Sequence, residues 1–110
     1  MEITESRNDS FITVSINGRL DTSNYGQLEK VLMDHINDGN HRILVDCANM
    51  DYVSSSGLRI LLMALKRISL AKGKFVLCNL QENIKEIFEI SGFTTNFEIY
   101  LGKEAAVAAF

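Results

Sequence analysis

The sequence contains no proline and no tryptophan, and it has only two histidines and two cysteines. The absence of proline excludes stiff proline-rich spacers and fits a compact chain. With 110 residues, of which 46% are hydrophobic, the chain can build one real core. We therefore expect a single domain that covers residues 1–110.

Metal and nucleotide sites lack their usual ligands in this sequence. His35, His41, Cys47 and Cys78 stand apart, without the paired spacing of a zinc site. Neither glycine-rich phosphate motif, G-x-x-x-x-G-K-[ST] or G-x-G-x-x-G, is present. We expect no metal and no cofactor. The two cysteines are expected to be buried free thiols rather than a disulfide.

Positive charge is scarce, and no dense basic stripe runs along the chain. There are 11 Lys and Arg against 14 Asp and Glu, which gives a formal net charge of −3. The nearest basic cluster is Lys66, Arg67, Lys72 and Lys74, which suits the solvated side of a helix. Direct binding to nucleic acid is therefore not expected.

No hydrophobic run approaches the roughly 20 residues of a membrane span. The longest candidate, residues 60–65, is ended by Lys66 and Arg67. The N-terminus is acidic and lacks the features of a signal peptide. These features predict a soluble, cytoplasmic protein without a membrane span.

What the sequence does contain is an alternation of strand-like and helix-like segments. The order is β-β-α-β-α-β-α-β-α, with the first two strands forming a hairpin. This order predicts an α/β domain with a mixed, mostly parallel sheet of four or five strands and about four helices. The main segments are strands at 1–5, 11–16, 42–47, 75–78 and 97–100, and helices at 25–36, 58–72, 80–90 and 102–110, the third of which has Asn79 as its predicted N-cap.

Three consecutive serines, Ser54, Ser55 and Ser56, precede Gly57 and the second predicted helix. One serine can be a helix N-cap, but that role does not account for three. A phosphate there would add about −1.5 to −2 charges near a helix N-terminus, where negative charge is tolerated. The serines therefore predict a regulatory site, and anion binding stays open. Asp21 and Asp46 are expected to lie nearby.

Serine hydrolase chemistry is not supported. The nucleophile motif G-x-S-x-G is absent, because no glycine stands two residues before any of the three serines. His41 precedes a strand, so it should lie at the opposite end of the sheet from Ser55 and cannot serve as its base. We expect that the protein is not an enzyme.

The second predicted helix has two faces. Arg59, Ile60 and Met63 fall on the outer face, and they are either scattered surface residues or a partner surface that continues from the serines. The predicted core face consists of Leu58, Leu61, Leu62, Leu65 and Ile68.

Four pieces of sequence give the chain a family resemblance. They are 18–21 (Gly-Arg-Leu-Asp), 44–46 (Leu-Val-Asp), 53–58 (Val-Ser-Ser-Ser-Gly-Leu) and 91–93 (Ser-Gly-Phe). With these pieces in this order, the chain resembles the STAS domain family, and most closely its stand-alone bacterial anti-sigma factor antagonists. The resemblance covers essentially the whole chain.

The resemblance implies a phosphorylation switch. Unphosphorylated antagonists of this family bind an anti-sigma factor, often a serine kinase of the GHKL type, and so free a sigma factor. The kinase then phosphorylates a serine before the second helix, and a PP2C-type phosphatase reverses the modification. Alignment on Gly57 implies Ser55 as the acceptor. The family often has aspartate just before it, where this chain has Ser54, so Ser54 and Ser56 remain alternatives.

The resemblance and the predicted faces together define a candidate partner-binding set, which consists of Asp21, Ser54, Ser56, Gly57, Arg59, Ile60 and Met63. A second interpretation keeps the fold without the switch. STAS modules also act as constitutive subunits of lipid or anion transport assemblies in membranes, and this chain would then dock onto such an assembly.

Overall fold

The computed structural model describes all residues, 1–110. It contains one five-stranded sheet in which the strands lie side by side in sequence order. The first two strands are antiparallel and the other neighbours are parallel, as predicted. The strands are β1 (Glu2–Arg7), β2 (Ile12–Leu20), β3 (Arg42–Val53), β4 (Lys74–Cys78) and β5 (Glu98–Tyr100). The helices are α1 (Tyr25–Asn37), α2 (Ser55–Leu70), α3 (Glu82–Ile90) and α4 (Lys103–Ala108), with a 3-10 turn at Phe93–Thr95.

The sheet has helices on both faces, and its side chains alternate between two cores. Val45 and Leu77 belong to the larger core, which α1, α2 and α3 cover. Right-handed crossovers between successive parallel strands place these three helices on the same face. Leu44 and Val76 point into a smaller core on the other face, which Ala106 of α4 covers. None of the helices has the length and apolar character needed to cross a membrane.

Strand β3 is longer than the sequence pattern predicts. It continues past Cys47 to Val53. The register between β2 and β3 is irregular near Gly18 and resumes up to the pair formed by Leu20 and Val53. Ala48 and the polar residue after it interrupt the apolar run, so the pattern did not reveal the extension. Asp46 consequently lies seven residues before the strand ends, roughly 20 Å from the serines. The expectation that Asp46 is near them is wrong.

The two cysteines are free and buried, as predicted. Cys47 belongs to the larger core and Cys78 to the smaller one, so the two thiols lie on opposite faces of the sheet. Burial raises the pKa of both thiols, and burial together with the nearby Asp46 carboxylate raises the pKa of Cys78 to about 11. Neither thiol is poised for oxidation or nucleophilic attack.

Candidate functional site

The first turn of α2 is held tightly against the ends of β2 and β3. The Ser54 N–H donates to the Leu20 carbonyl at 2.9 Å, which joins the loop after β3 to the end of β2. Gly57 is buried in this contact, and a Cβ atom there would lie 2.7 Å from Leu20 Cγ and 3.1 Å from Val53 Cγ2. Any larger residue would force the Leu20 and Val53 side chains to shift. Because Gly57 is buried, it supports the site and does not belong to the partner surface.

The three serines occupy three different environments. Ser54 is the N-cap of α2, and its Oγ accepts a hydrogen bond from the Gly57 N–H at 3.2 Å. Ser56 is half-buried in the first turn. Ser55 is the first helical residue, is exposed and makes no side-chain hydrogen bond. The helix therefore begins three residues before the predicted start at Leu58.

Asp21 lies in the neighbouring loop, immediately after β2. Its carboxylate accepts hydrogen bonds from Ser23 Oγ at 2.6 Å and from the Ser23 N–H at 3.0 Å. These hydrogen bonds lower the pKa of Asp21, and so does the positive charge of Arg19, whose Nε lies 3.6 Å from Asp21 Oδ2. The carboxylate is therefore ionised at neutral pH. The Leu20–Ser54 hydrogen bond places this loop beside the serines, as expected for two loops that follow neighbouring parallel strands.

A residue pair that the sequence pattern did not reveal completes this edge. The Arg19 guanidinium lies over the Tyr52 ring, 4.1 Å from its centroid. Arg19 and Tyr52 are partners in the register of β2 and β3. Only the unpredicted extension of β3 brings them together, so no sequence signal pointed to this contact. It fixes a cation and an aromatic ring beside Asp21.

The outer face of α2 differs from the prediction at one important position. Ile60 is only 5% exposed and belongs to the larger core, so its assignment to the partner surface is wrong. Because α2 packs against α1 as well as the sheet, its buried arc turns toward Ile60 and Ala64. Leu62 and Leu65, which were predicted to be core residues, are only half-buried. Arg59 remains exposed and Met63 half-buried on the accessible side.

Neither histidine lies near the serines. The His35 ring contacts the Glu5 carboxylate of β1. His41 directly precedes β3, whereas the serines follow its other end, so the expected separation is confirmed. The site therefore combines an exposed hydroxyl, an ionised carboxylate and a helix face, and neither histidine is part of it.

Known proteins match this chain over most or all of its length. The STAS domain matches residues 2–106. BtrV of Bordetella bronchiseptica is 36% identical over 110 residues, which cover 100% of this chain and 95% of BtrV. An anti-sigma-B factor antagonist of Staphylococcus epidermidis is 29% identical over 96 residues, which cover 87% of this chain and 89% of the relative. The crystal structure of TM1081 from Thermotoga maritima superimposes with a TM-score of 0.92 at 20% identity, covering 97% of this chain and 92% of that chain. Because the STAS domain match spans residues 2–106 and the fold agrees with that of TM1081, the chain belongs to the STAS domain family.

Proposed function

We propose that this protein is an anti-sigma factor antagonist, a binding module that performs no catalysis itself. In its unphosphorylated form it binds an anti-sigma factor and so frees a sigma factor. Phosphorylation of Ser55 by that anti-sigma factor, acting as a GHKL-type serine kinase, ends the binding. A PP2C-type phosphatase restores it. The protein acts where sigma factors act, in the cytoplasm.

The environment of Ser55 is the observation that carries this proposal. Its side chain is exposed at the first position of α2 and takes no part in the hydrogen bonds that hold the loop. A kinase can therefore reach the hydroxyl without unfolding the helix. A phosphate at that position is compatible with the positive end of the helix dipole, so the fold persists after modification.

Ser54 and Ser56 are weaker acceptors for physical reasons. Ser54 is half-buried, and its Oγ already accepts the capping hydrogen bond from the Gly57 N–H. Ser56 is half-buried. Serine and aspartate are both favoured N-caps, so Ser54 performs the capping role that the family's usual aspartate could perform. With serine in place of aspartate at position 54, the first turn that carries Ser55 is therefore still capped.

Acceptor mapping tests the proposal. The protein is incubated with ATP and, in turn, each purified kinase-type anti-sigma factor of the source organism, followed by intact mass measurement and peptide mapping. We expect one phosphate on Ser55, which disappears in Ser55→Ala and persists in Ser56→Ala. A phosphate on Ser54 or Ser56 would refute the choice of acceptor. Co-purification with a membrane permease and an unmodified loop would favour the transport interpretation instead.

A further inference from the structure

Charge is distributed very unevenly along this chain. Residues 52–81 contain no Asp or Glu, although the chain has 14 acidic residues in all. The same segment contains five of the 11 basic residues. The protein as a whole is acidic, so α2 is a basic element on an acidic molecule. Those basic residues are Arg59, Lys66, Arg67, Lys72 and Lys74.

The accessible side of α2 combines these charges with apolar side chains. We call it the basic ridge surface, and it consists of Arg59, Leu62, Met63, Lys66, Arg67 and Leu70. Leu70 is 86% exposed. Its three cations are exposed, and none of them forms an ion pair within the protein.

The spacing of these residues suits packing against another helix. Residues four apart on a helix form rows, and such ridges pack into the grooves of a facing helix. One row begins at Ser55 and continues through Arg59, Met63 and Arg67. The adjacent row joins Leu62 to Lys66 and Leu70. A shallow groove lies between the two rows.

We infer that the basic ridge surface docks an acidic amphipathic helix of the anti-sigma factor. This inference rests on the proposed function and names the chemistry of the partner's contact. The apolar side chains supply the buried contact, while the three unpaired cations select a helix that carries Asp or Glu. The row that starts at Ser55 makes this surface continuous with the proposed phosphorylation site.

The same geometry explains how one phosphate can switch the surface. Ser55 and Arg59 are four residues apart on one helix, a spacing at which opposite charges pair. A phosphate on Ser55 therefore draws the Arg59 guanidinium to itself and adds negative charge facing the partner's acidic groups. We expect the negative charge on Ser55, the first residue of the row, to abolish binding without a rearrangement of the fold.

The docking part is tested with the anti-sigma factor that binds the wild-type protein. Calorimetry compares the wild type with Lys66→Gln/Arg67→Gln and with a matched control, Arg7→Gln/Lys103→Gln, which removes one exposed, unpaired Arg and one exposed, unpaired Lys elsewhere. At about 50 mM NaCl we expect the first variant to bind about tenfold more weakly or worse, and the control to bind normally. The difference should shrink at about 500 mM NaCl because salt screens exposed charges.

Two results would overturn the docking inference. Equal affinity of the two double variants would exclude the basic ridge surface while leaving the proposed function intact. Binding of phosphatidylglycerol vesicles that only Lys66→Gln/Arg67→Gln abolishes would assign the surface to a membrane. If the wild type binds no anti-sigma factor of its organism, the proposed function fails, and the docking inference fails with it.

The switching part is tested without any partner. Phosphoserine is incorporated genetically at position 55, and the phosphate is titrated by ³¹P NMR in the wild type, in Arg59→Gln and in Arg67→Gln. We expect the titration midpoint in Arg59→Gln to move to higher pH by about 0.3, because a nearby cation favours the dianion. Arg67→Gln lies two turns further along and should leave the midpoint unchanged. Identical midpoints in all three proteins would contradict the pairing.

Discussion

Gly57 shows how a single missing side chain positions the site. The first turn of α2 approaches β2 and β3 so closely that any Cβ would collide with the buried Leu20 side chain. The approach in turn sets the direction in which Ser55 faces solvent. At this position the requirement for glycine comes from packing, since its backbone lies in an ordinary helix.

Replacing Gly57 by alanine should destabilise the protein by about 1–3 kcal/mol, because Leu20 and Val53 must shift to admit the methyl group. Urea denaturation measures the free energy of unfolding. Gly26→Ala is the matched control, since Gly26 is near the start of α1 and no atom lies within 4 Å of its added Cβ. That variant should be unchanged or more stable by up to about 1 kcal/mol. Equal losses in both variants would exclude the packing explanation.

Alanine substitutions at Ser54 and Ser55 should change the free energy of unfolding by different amounts, again measured by urea denaturation. Ser54→Ala removes the N-cap hydrogen bond to the Gly57 N–H and should cost about 1 kcal/mol. Ser55→Ala removes an exposed hydroxyl without a partner and should change stability by less than about 0.5 kcal/mol. The pair distinguishes a capping serine from a free one. A larger loss in Ser55→Ala than in Ser54→Ala would reverse the assignment.

At the scale of the element, the inner side of α2 packs in the core and its outer side is accessible to solvent. Its inner arc, which includes Ile60, Leu61 and Ala64, packs on the sheet and on α1. Its outer side presents Arg59 and Met63. Sequence periodicity identified the helix but placed this boundary wrongly at Ile60. The apolar run at residues 60–65 is compatible with more than one buried arc, and only the packing of α1 decides between them.

The corrected boundary predicts different costs of truncation at two neighbouring positions. Ile60→Ala removes buried methyl groups and should cost about 2–4 kcal/mol. Met63→Ala acts on a half-buried side chain, so its cost should be clearly smaller, and its main effect should fall on partner binding. Thermal or urea unfolding of both variants measures the contrast. Equal destabilisation would mean that Met63 is as much a core residue as Ile60.

At the scale of the molecule, the sequence predicted the order of elements, the mixed sheet and the opening hairpin because these depend on local patterns. Residues 43–45 of the buried part of β3 are a continuous apolar run, and β-branched residues are frequent in β2. The last part of β3 was missed because residues 48–52 are mostly polar or exposed. That segment is held by pairing with β2, which is a long-range interaction. The candidate site at the ends of β2 and β3 was therefore only partly predictable.

The buried thiols give the whole molecule a predicted pH dependence. The pKa of Cys78 is raised to about 11, above the 9.0 of an unperturbed thiol. The folded state thus holds this proton more tightly than the unfolded state does. The stabilisation is complete below pH 9.0 and declines as pH rises toward 11. Urea denaturation across this range should show a steeper fall for the wild type than for Cys78→Ala. Parallel pH profiles would contradict the assignment.

At the end of two parallel strands the fold brings together the residues that we propose form one switchable surface. The Asp21 loop, Ser55 and the outer side of α2 adjoin because β2 and β3 end together. Since Ser55 takes no part in holding these elements, its phosphorylation should alter binding while leaving the structure in place. We therefore propose that phosphorylation of Ser55 controls the binding of the anti-sigma factor.

This control is tested by measuring the affinity of the anti-sigma factor for the protein with and without phosphoserine encoded at position 55. Calorimetry gives the affinity, and the melting temperature of each form confirms that both are folded. We expect the phosphorylated form to bind about a hundredfold more weakly, because a desolvated phosphate faces like charge. Equal affinities for two folded forms would contradict the claim.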